Sequence, residues 1–288
     1  SRAVREYLDA LDTDPSATRT QKKVSTTDPM AQWAGDKGPG QFYYSTNYLI
    51  DIEHNVIMDV EPTPSHRTAE VSSTRTMIDR VEEKLEIKPE RLIADTAYGS
   101  AEMLDWVVEQ KQIEPHIPVL DKSHGKPGLY GRAAFNWDNE ADCYYCPAGK
   151  LLRSRNRPFK NPRSPVTKAN TIIYRSSQHD CKACELKSVC CPNTTHRKIA
   201  RSIYESSRDV ARDICETPEY LQSRKDRKKV EVLFAHLKRV MNFDRLRLRG
   251  LTGAHDEFLL AATVQNLKKL AQQRYKPPDQ RIGAPVLC

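Results

Sequence analysis

Residues 91–112, RLIADTAYGSAEMLDWVVEQKQ, carry the pattern that decides the fold class. Leu92, Ile93 and Ala94 form a short apolar run that predicts a strand ending in Asp95. Gly99 predicts a turn. Ser100 is a cap residue for a helix over 101–112, whose Met103, Leu104, Val107 and Val108 face inward. Strand, acid, turn and helix in that order point to a mixed α/β fold. They place Asp95 at the carboxyl end of a strand, the edge of an open sheet where ligands and catalytic groups gather.

Upstream, residues 42–61 alternate, are rich in Tyr, Ile and Val, and break at Glu53-His54-Asn55, which predicts an antiparallel hairpin ended by Pro62 and Pro64. Periodicity predicts helices over 1–12 and 68–85, with a polar linker between the first helix and Lys23. Downstream, residues 118–205 hold six of the eight cysteines, many Pro, Lys and Arg, and no long apolar periodicity. They read as an inserted module too poor in apolar residues to fold by burial alone. Helical patterning resumes near Glu205, and a last helix is expected over 254–272. The expected organisation is therefore a core in two parts, 1–117 and 206–273, an insertion over 118–205, and a tail over 274–288.

The second informative stretch is RKDRKKVEVLFAHLKRVMNFDRLRLRGL, residues 224–251. Val230, Leu233, Phe234, Leu237, Val240 and Met241 recur at helical spacing and predict one apolar face. At about 100° per residue, Arg224, Arg227, Glu231 and Lys238 share a narrow arc beside it. An acid between cations suits a metal held next to a polyanion. The bland alternative is a solvated face of i,i+4 pairs.

The bulk numbers favour the polyanion. The 288-residue chain carries a net charge of +8, yet residues 150–168 alone carry +7 and residues 219–249 carry +6, so the remainder is slightly acidic. Charge gathered into two patches is the footprint of a phosphate-backbone partner. No apolar run approaches the ~18 residues of a membrane span, and there is no P-loop, G-x-G-x-x-G or nucleophile elbow.

Asp95 and Glu231 stand out because metal-dependent phosphoryl transfer needs carboxylates from different elements converging on hard divalent ions. The segments LIADTAYGSAEML (92–104), RKKVEVLFAHLKRVMNFDRLRLRGL (227–251), EFLLAATVQNLKKL (257–270) and the hairpin YSTNYLIDIEHNVIMDVEPTP (44–64) resemble the DDE transposases of bacterial insertion sequences. That resemblance implies an RNase H-like core interrupted by a Cys-rich, zinc-ribbon-like insertion. It implies Mg²⁺- or Mn²⁺-dependent cleavage at transposon ends and transfer of the freed 3′-hydroxyl into target DNA. Asp95 matches the family's second acid. Arg227, Glu231 and Lys238 match Tyr-x2-Arg-x3-Glu-x6-Lys, although position 224 is Arg where the pattern has Tyr. Asp95 and Glu231 would hold the metals, while Arg227, Lys238, Arg224, Lys228 and Arg239 would contact DNA.

The family's first Asp is not placed. Asp28, Asp51 and Asp59 lie nearby without the expected strand context, so the expectation is a piece whose first acid precedes Ser1. The resemblance further implies double-stranded DNA as partner, a homo-oligomer on paired ends, no membrane, and a cytoplasmic, nucleoid-associated location. The rival readings are a DNA-binding remnant without chemistry and a metal-dependent nuclease that cuts but does not join.

Cys143-Tyr-Tyr-Cys146-Pro-Ala-Gly149 resembles a zinc knuckle, and Cys181-Lys-Ala-Cys184 supplies a second C-x2-C. Cys190 and Cys191 follow. Structural Zn²⁺ is the favoured reading, with reduced buried thiols the alternative. Similarity to transposases of this kind selects Cys146, Cys181, Cys184 and Cys190 as the ligands, with Cys143 as the alternate. Cys215 and Cys288 look incidental.

Overall fold

A 12-residue helix, α1 (Arg2–Thr13), opens the chain in a computed structural model that describes residues 1–13, 23–35, 39–65, 67–121, 127–154 and 164–274. The chain divides into two compact units, one formed by Ser1–Pro89 with Leu221–Cys288 and the other by Glu90–Tyr220. Mixed α/β structure is present as expected. The expected polar linker falls on residues 14–22, the tail on 275–288 and part of the basic run on 155–163, all outside the described residues.

In the first unit, β1 (Gln32–Ala34), β2 (Gln41–Asp51) and β3 (Val56–Pro64) form an antiparallel sheet in that order. The β2–β3 turn is built by Asp51, whose Oδ1 accepts the backbone N–H groups of Glu53 and His54 at 2.9 and 3.3 Å. Asn55 supplies the left-handed residue at φ 54°. The prolines do not end the hairpin, because Tyr44 pairs with Pro64 and Thr46 with Pro62. β3 is an edge strand, and alternate spacing puts both prolines on one row of the backbone, so a single unpaired row can absorb both missing donors. α2 (Arg67–Leu85) buries Met77, Ile78 and Val81 and reaches back to β3 through Arg80, which donates to Asp59 and Glu61 at 2.7 Å each.

The second unit begins with β4 (Arg91–Ile93), a 3₁₀ turn over Thr96–Tyr98, α3 (Ala101–Asp105) and a single π turn over Trp106–Gln110. The expected helix over 101–112 is thus present but loosened at its end, where Lys111 N–H donates to Trp106 O at 2.9 Å and Trp106 is drawn into the core. β5 (Glu114–His116) then pairs parallel with β4, Ile93 opposite His116. Gly99 is needed here. A Cβ on it would lie 2.0 Å from Pro118 O and 2.7 Å from Leu120 N, and Leu120 N–H donates to Gly99 O at 2.8 Å.

The Cys-rich stretch holds a buried core cluster of its own. β6 (Asn136–Asp138), β7 (Cys143–Tyr145), β8 (Leu151–Arg153), β9 (Thr171–Ser176) and β10 (Lys198–Ser202) form a five-stranded antiparallel sheet in chain order. α4 (Gln178–Lys182) and α5 (Lys187–Cys190) sit between the last two strands in sequence. Trp137, Tyr144 and Tyr174 pack edge-on and tilted with centroids 4.8–5.4 Å apart, joined by Phe135, Leu152 and Ile199. Three of the five strands have only three residues and show no readable period, and aromatic side chains supply the area that a longer aliphatic run would otherwise give.

α6 (Glu205–Cys215) closes this unit around a buried ion cluster. Glu205, 1% exposed, accepts from Arg132, Arg208 and Arg212 at 2.7–2.9 Å. Asp121 meets the same three guanidiniums at 2.7–3.3 Å.

α7 (Pro218–Asp226), α8 (Lys228–Arg239) and α9 (Leu251–Arg274) complete the chain. α9 packs Ala254, Phe258 and Ala262 against Tyr44, Ile57 and Val60 of the hairpin. Asn266 fastens it by accepting from Ile57 N and donating to Ile57 O at 2.9 and 2.8 Å. Asp28 is buried and accepts from the Tyr44 hydroxyl at 2.6 Å and from Gly250 N–H at 3.0 Å. Burial and that hydrogen bond push the Tyr44 phenol well above its ordinary range, so it stays a donor.

Two expectations follow from the second unit. Gly99→Ala, which forces a methyl into backbone, should lower the unfolding free energy by about 1–3 kcal/mol in urea denaturation. A change under about 0.5 kcal/mol would show that the Asp95 turn is not pinned. For Glu205 and Asp121, burial opposes charge, but hydrogen bonds from Arg212, and for Glu205 also from Arg132, with the surrounding guanidinium charges, hold both carboxyls below their usual values. Lowered folded values mean stability present above the ordinary carboxylate range of about 4 and lost as pH falls through the folded values. Denaturation from pH 7 to 3 should show that acid-side loss. Glu205→Gln should remove part of it while costing about 3–5 kcal/mol at neutral pH. An unchanged acid limb in the variant would overturn this account.

Candidate functional site

Asp95 sits two residues beyond the last residue of β4, at the carboxyl end of the parallel β4–β5 pair. Its backbone is extended, at φ −87° and ψ 178°, and its Oδ1 accepts Ala97 N–H at 2.7 Å, capping the 3₁₀ turn. Ser100 then caps α3 by accepting Met103 N–H at 3.3 Å. The side chain is exposed, so one carboxylate oxygen is fixed by the turn while the group as a whole faces solvent.

Glu231 lies in the first turn of α8, where a negative charge is favoured by the helix dipole, and is exposed. The helical pattern expected around Glu231 is divided between α7 and α8. Arg227 separates α7 from α8, yet keeps helical dihedrals of φ −53° and ψ −31°. Arg227 N–H donates to Ser223 O at 3.0 Å and Val230 N–H donates to Arg227 O at 3.1 Å, so the chain tightens for one turn between the two helices. At the other end α8 stops at Arg239, leaving Val240 58% exposed rather than on the apolar face.

What holds α8 is its contact with the hairpin of its own unit. Leu237 is buried, Leu233 joins the core of that unit, and Phe234 stacks on Tyr48 with centroids 4.8 Å apart and planes 17° from parallel. Lys229 donates to Ile52 O in the hairpin turn at 3.2 Å and pairs with Asp226 at 2.9 Å. Gln265 of α9 donates to Leu233 O at 2.9 Å. Lys229 is thereby engaged, whereas Arg224, Arg227, Lys228, Lys238 and Arg239 are exposed and form no ion pair among the described residues.

Asp95 belongs to the unit Glu90–Tyr220 and Glu231 to the unit that contains Leu221–Cys288. The three acids weighed for the first position all have structural partners. Asp28 bonds Tyr44 and Gly250, Asp51 holds the hairpin turn and His54, and Asp59 pairs with Arg80. Sequence alone marks these acids only as nearby; their partners become visible once the hairpin is folded.

The cysteines separate clearly. Cys146, Cys181, Cys184 and Cys190 line one cavity of about 20 Å³, joined by Cys191, which the resemblance did not select. Cys143 is buried in β7 and is not among the residues lining that cavity. Cys215 lies on α6 with its thiol directed to Ile117 O, and Cys288 falls outside the described residues. Among the described residues, no three His, Cys, Asp or Glu side chains stand at metal-coordinating spacing.

A second, larger cleft of about 660 Å³ opens beside the ion cluster, lined by Arg132, Arg201, Arg212, Trp137 and Tyr220 among others. Its cations are already paired, Arg132 and Arg212 within the cluster and Arg201 with Asp209 at 3.7 Å. Sequence reading missed this cleft because its arginines are scattered between positions 132 and 212 without a motif.

Comparison with known proteins bears on the segment that carries most of these features. Residues 145–271 match the family model described as Transposase DDE domain. Searches among curated proteins and among solved structures gave no match. The matched span includes the cysteine cavity, Glu231 with its basic neighbours and most of α9, and leaves out Asp95. Residues 145–271 are thus similar to a transposase DDE domain, the kind of protein that the segments 227–251 and 257–270 resemble.

Proposed function

We propose that this protein is a DNA transposase that cuts at transposon ends and joins the freed end to target DNA. The observation that carries the reading is the DDE-domain match over the segment in which exposed, unpaired Arg and Lys side chains surround Glu231. In the first step water attacks the scissile phosphodiester, the P–O bond to the 3′-oxygen breaks, and that oxygen leaves as a hydroxyl. In the second, this 3′-oxygen attacks a target phosphodiester, one P–O bond replaces another, and the target's own 3′-hydroxyl is released.

Asp95 and Glu231 are the carboxylates assigned to Mg²⁺ or Mn²⁺, hard ions that suit oxygen ligands. Such ions, when bound, polarise the phosphoryl group and stabilise the attacking and leaving oxygens. Arg224, Arg227, Lys228, Lys238 and Arg239 are assigned to the DNA backbone. Guanidinium forks and ammonium groups are natural phosphate partners, and Arg stays charged, so proton transfer is left to solvent and the reacting hydroxyls. No helix among the described residues is long and apolar enough to cross a membrane. We assign the protein to the nucleoid, where its substrate is, acting as a homo-oligomer on paired ends.

A second reading, a DNA-binding protein without chemistry, is favoured by the engagement of Asp28, Asp51 and Asp59 elsewhere. Assays on labelled DNA bearing the element's own ends, with Mg²⁺, separate the readings. Cleaved and joined products are expected. Asp95→Asn and Glu231→Gln should each reduce both by about 10³-fold or more, a barrier change of several kcal/mol, with DNA affinity within a few-fold of wild type. Arg227→Ala and Lys238→Ala should each lower the salt slope of binding by about one. Cutting without joining would indicate a nuclease. Binding with no cutting would indicate the non-catalytic reading.

A further inference from the structure

α9 carries apolar side chains on two opposite sides, and its own unit covers one of them. Ala254, Phe258 and Ala262 pack on the hairpin. Leu259, Leu260, Val264, Leu267 and Leu270 lie on the far side and remain 44–66% exposed. At about 100° per residue these five share an arc roughly 140° wide, the breadth of a stripe that normally faces a core. From Phe258 to Leu267 the helix has no charged side chain, although 29% of the chain is charged. A continuous apolar stripe of this extent on a soluble surface marks a contact with another macromolecule.

The ends of the stripe indicate which one. Asp256 stands at its amino end and Arg274 at its carboxyl end. They are separated by about five whole turns at 3.6 residues each, so they lie on one line along the helix. Arg2 lies 3.3 Å from Asp256, but both side chains stay largely exposed and the carboxylate is open to a second cation. Arg274 is exposed and has no ion pair among the described residues.

A second α9 laid antiparallel, about a two-fold axis level with Gln265, is complementary to the first at every step. Asp256 faces the partner's Arg274, Leu260 the partner's Leu270, and Thr263 the partner's Leu267. A parallel pairing would instead set acid against acid and guanidinium against guanidinium. Two such stripes remove on the order of 800 Å² of apolar surface from water, and with their polar margins reach about 1,000 Å², enough for a specific interface. We propose that α9 is a dimerisation helix, through which two copies of this chain pair antiparallel in the absence of DNA. One patch meets its own copy, so the assembly closes as a dimer. The contact uses none of the residues assigned to metal or to DNA. It does not depend on the transposase reading, which places an assembly on paired DNA ends, whereas this pairing is measured in free solution.

Sedimentation equilibrium of the full chain without DNA should give twice the monomer mass of 32.9 kDa. A monomer at about 100 μM overturns the proposal and shows the stripe to be covered by this chain itself. Leu260→Glu and Leu267→Glu alter exposed positions, so circular dichroism and the thermal midpoint should be unchanged. Each should weaken dimerisation about 100-fold or more, because the two-fold axis counts every change twice. A dimer indifferent to both variants lies on another surface and overturns the assignment. Asp256→Arg and Arg274→Asp should each weaken the dimer about tenfold, and the double variant, which exchanges the charges, should return to within about threefold of the native constant. Weakening without that recovery overturns the antiparallel pairing.

Discussion

One buried carboxylate organises the unit that holds Asp95. Glu205 can remain charged at 1% exposure only because Arg132, Arg208 and Arg212 converge on it, and those guanidiniums also draw in Asp121. The consequences run outward through the backbone. Arg208 donates to Leu120 O at 3.1 Å, Leu120 N–H donates to Gly99 O, and the Gly99 turn carries Asp95 on its first residue. A cluster of this kind contributes little net stability, since desolvation offsets most of the attraction. What it supplies is a unique position for the 118–121 segment, and through it for the acid at the end of β4.

Much of this was legible in the sequence where a side chain's neighbours are close in the chain. The hairpin, α2, α9, the strand–Asp95–turn–helix unit and the exposed basic row around Glu231 all follow from period, cap and turn chemistry. The misreadings have physical causes. Pro62 and Pro64 looked like strand breakers because a sequence does not reveal which strand lies at an edge. The core of the Cys-rich stretch is hard to read because three of its five strands have three residues and carry no period, and it is made by Trp137, Tyr144 and Tyr174 meeting across the sheet. The Glu205 cluster was invisible because its five members span positions 121–212 and converge only in three dimensions.

The cysteines show the same limit from another side. Spacing picked out two C-x2-C pairs and therefore gave Cys143 standing as an alternate ligand. Cys143 is buried within β7 but alternates with the core residue Tyr144, whereas Cys146, past the end of β7, enters the knuckle. Cys191 had no spacing to recommend it. Its place at the end of α5, with φ −148° and ψ 61°, is set by where that short helix stops, which no motif encodes.

Charge is the property that composition describes least faithfully here. A net of +8 and two basic stretches suggest that every cluster of Arg and Lys serves DNA. The structure divides the cations by what they already hold. Arg80, Arg132, Arg208 and Arg212 are spent on carboxylates within their own units, and Lys229 on Asp226 and a carbonyl. Arg224, Arg227, Lys228, Lys238 and Arg239 are exposed and unpaired among the described residues, so their full charge is available to an incoming phosphate. A polyanion gains affinity by displacing counterions from its own backbone, and only a cation not already neutralised can replace them. The helix that carries Glu231 is therefore a better candidate for the DNA surface than the arginine-lined cleft, whose cations are already paired.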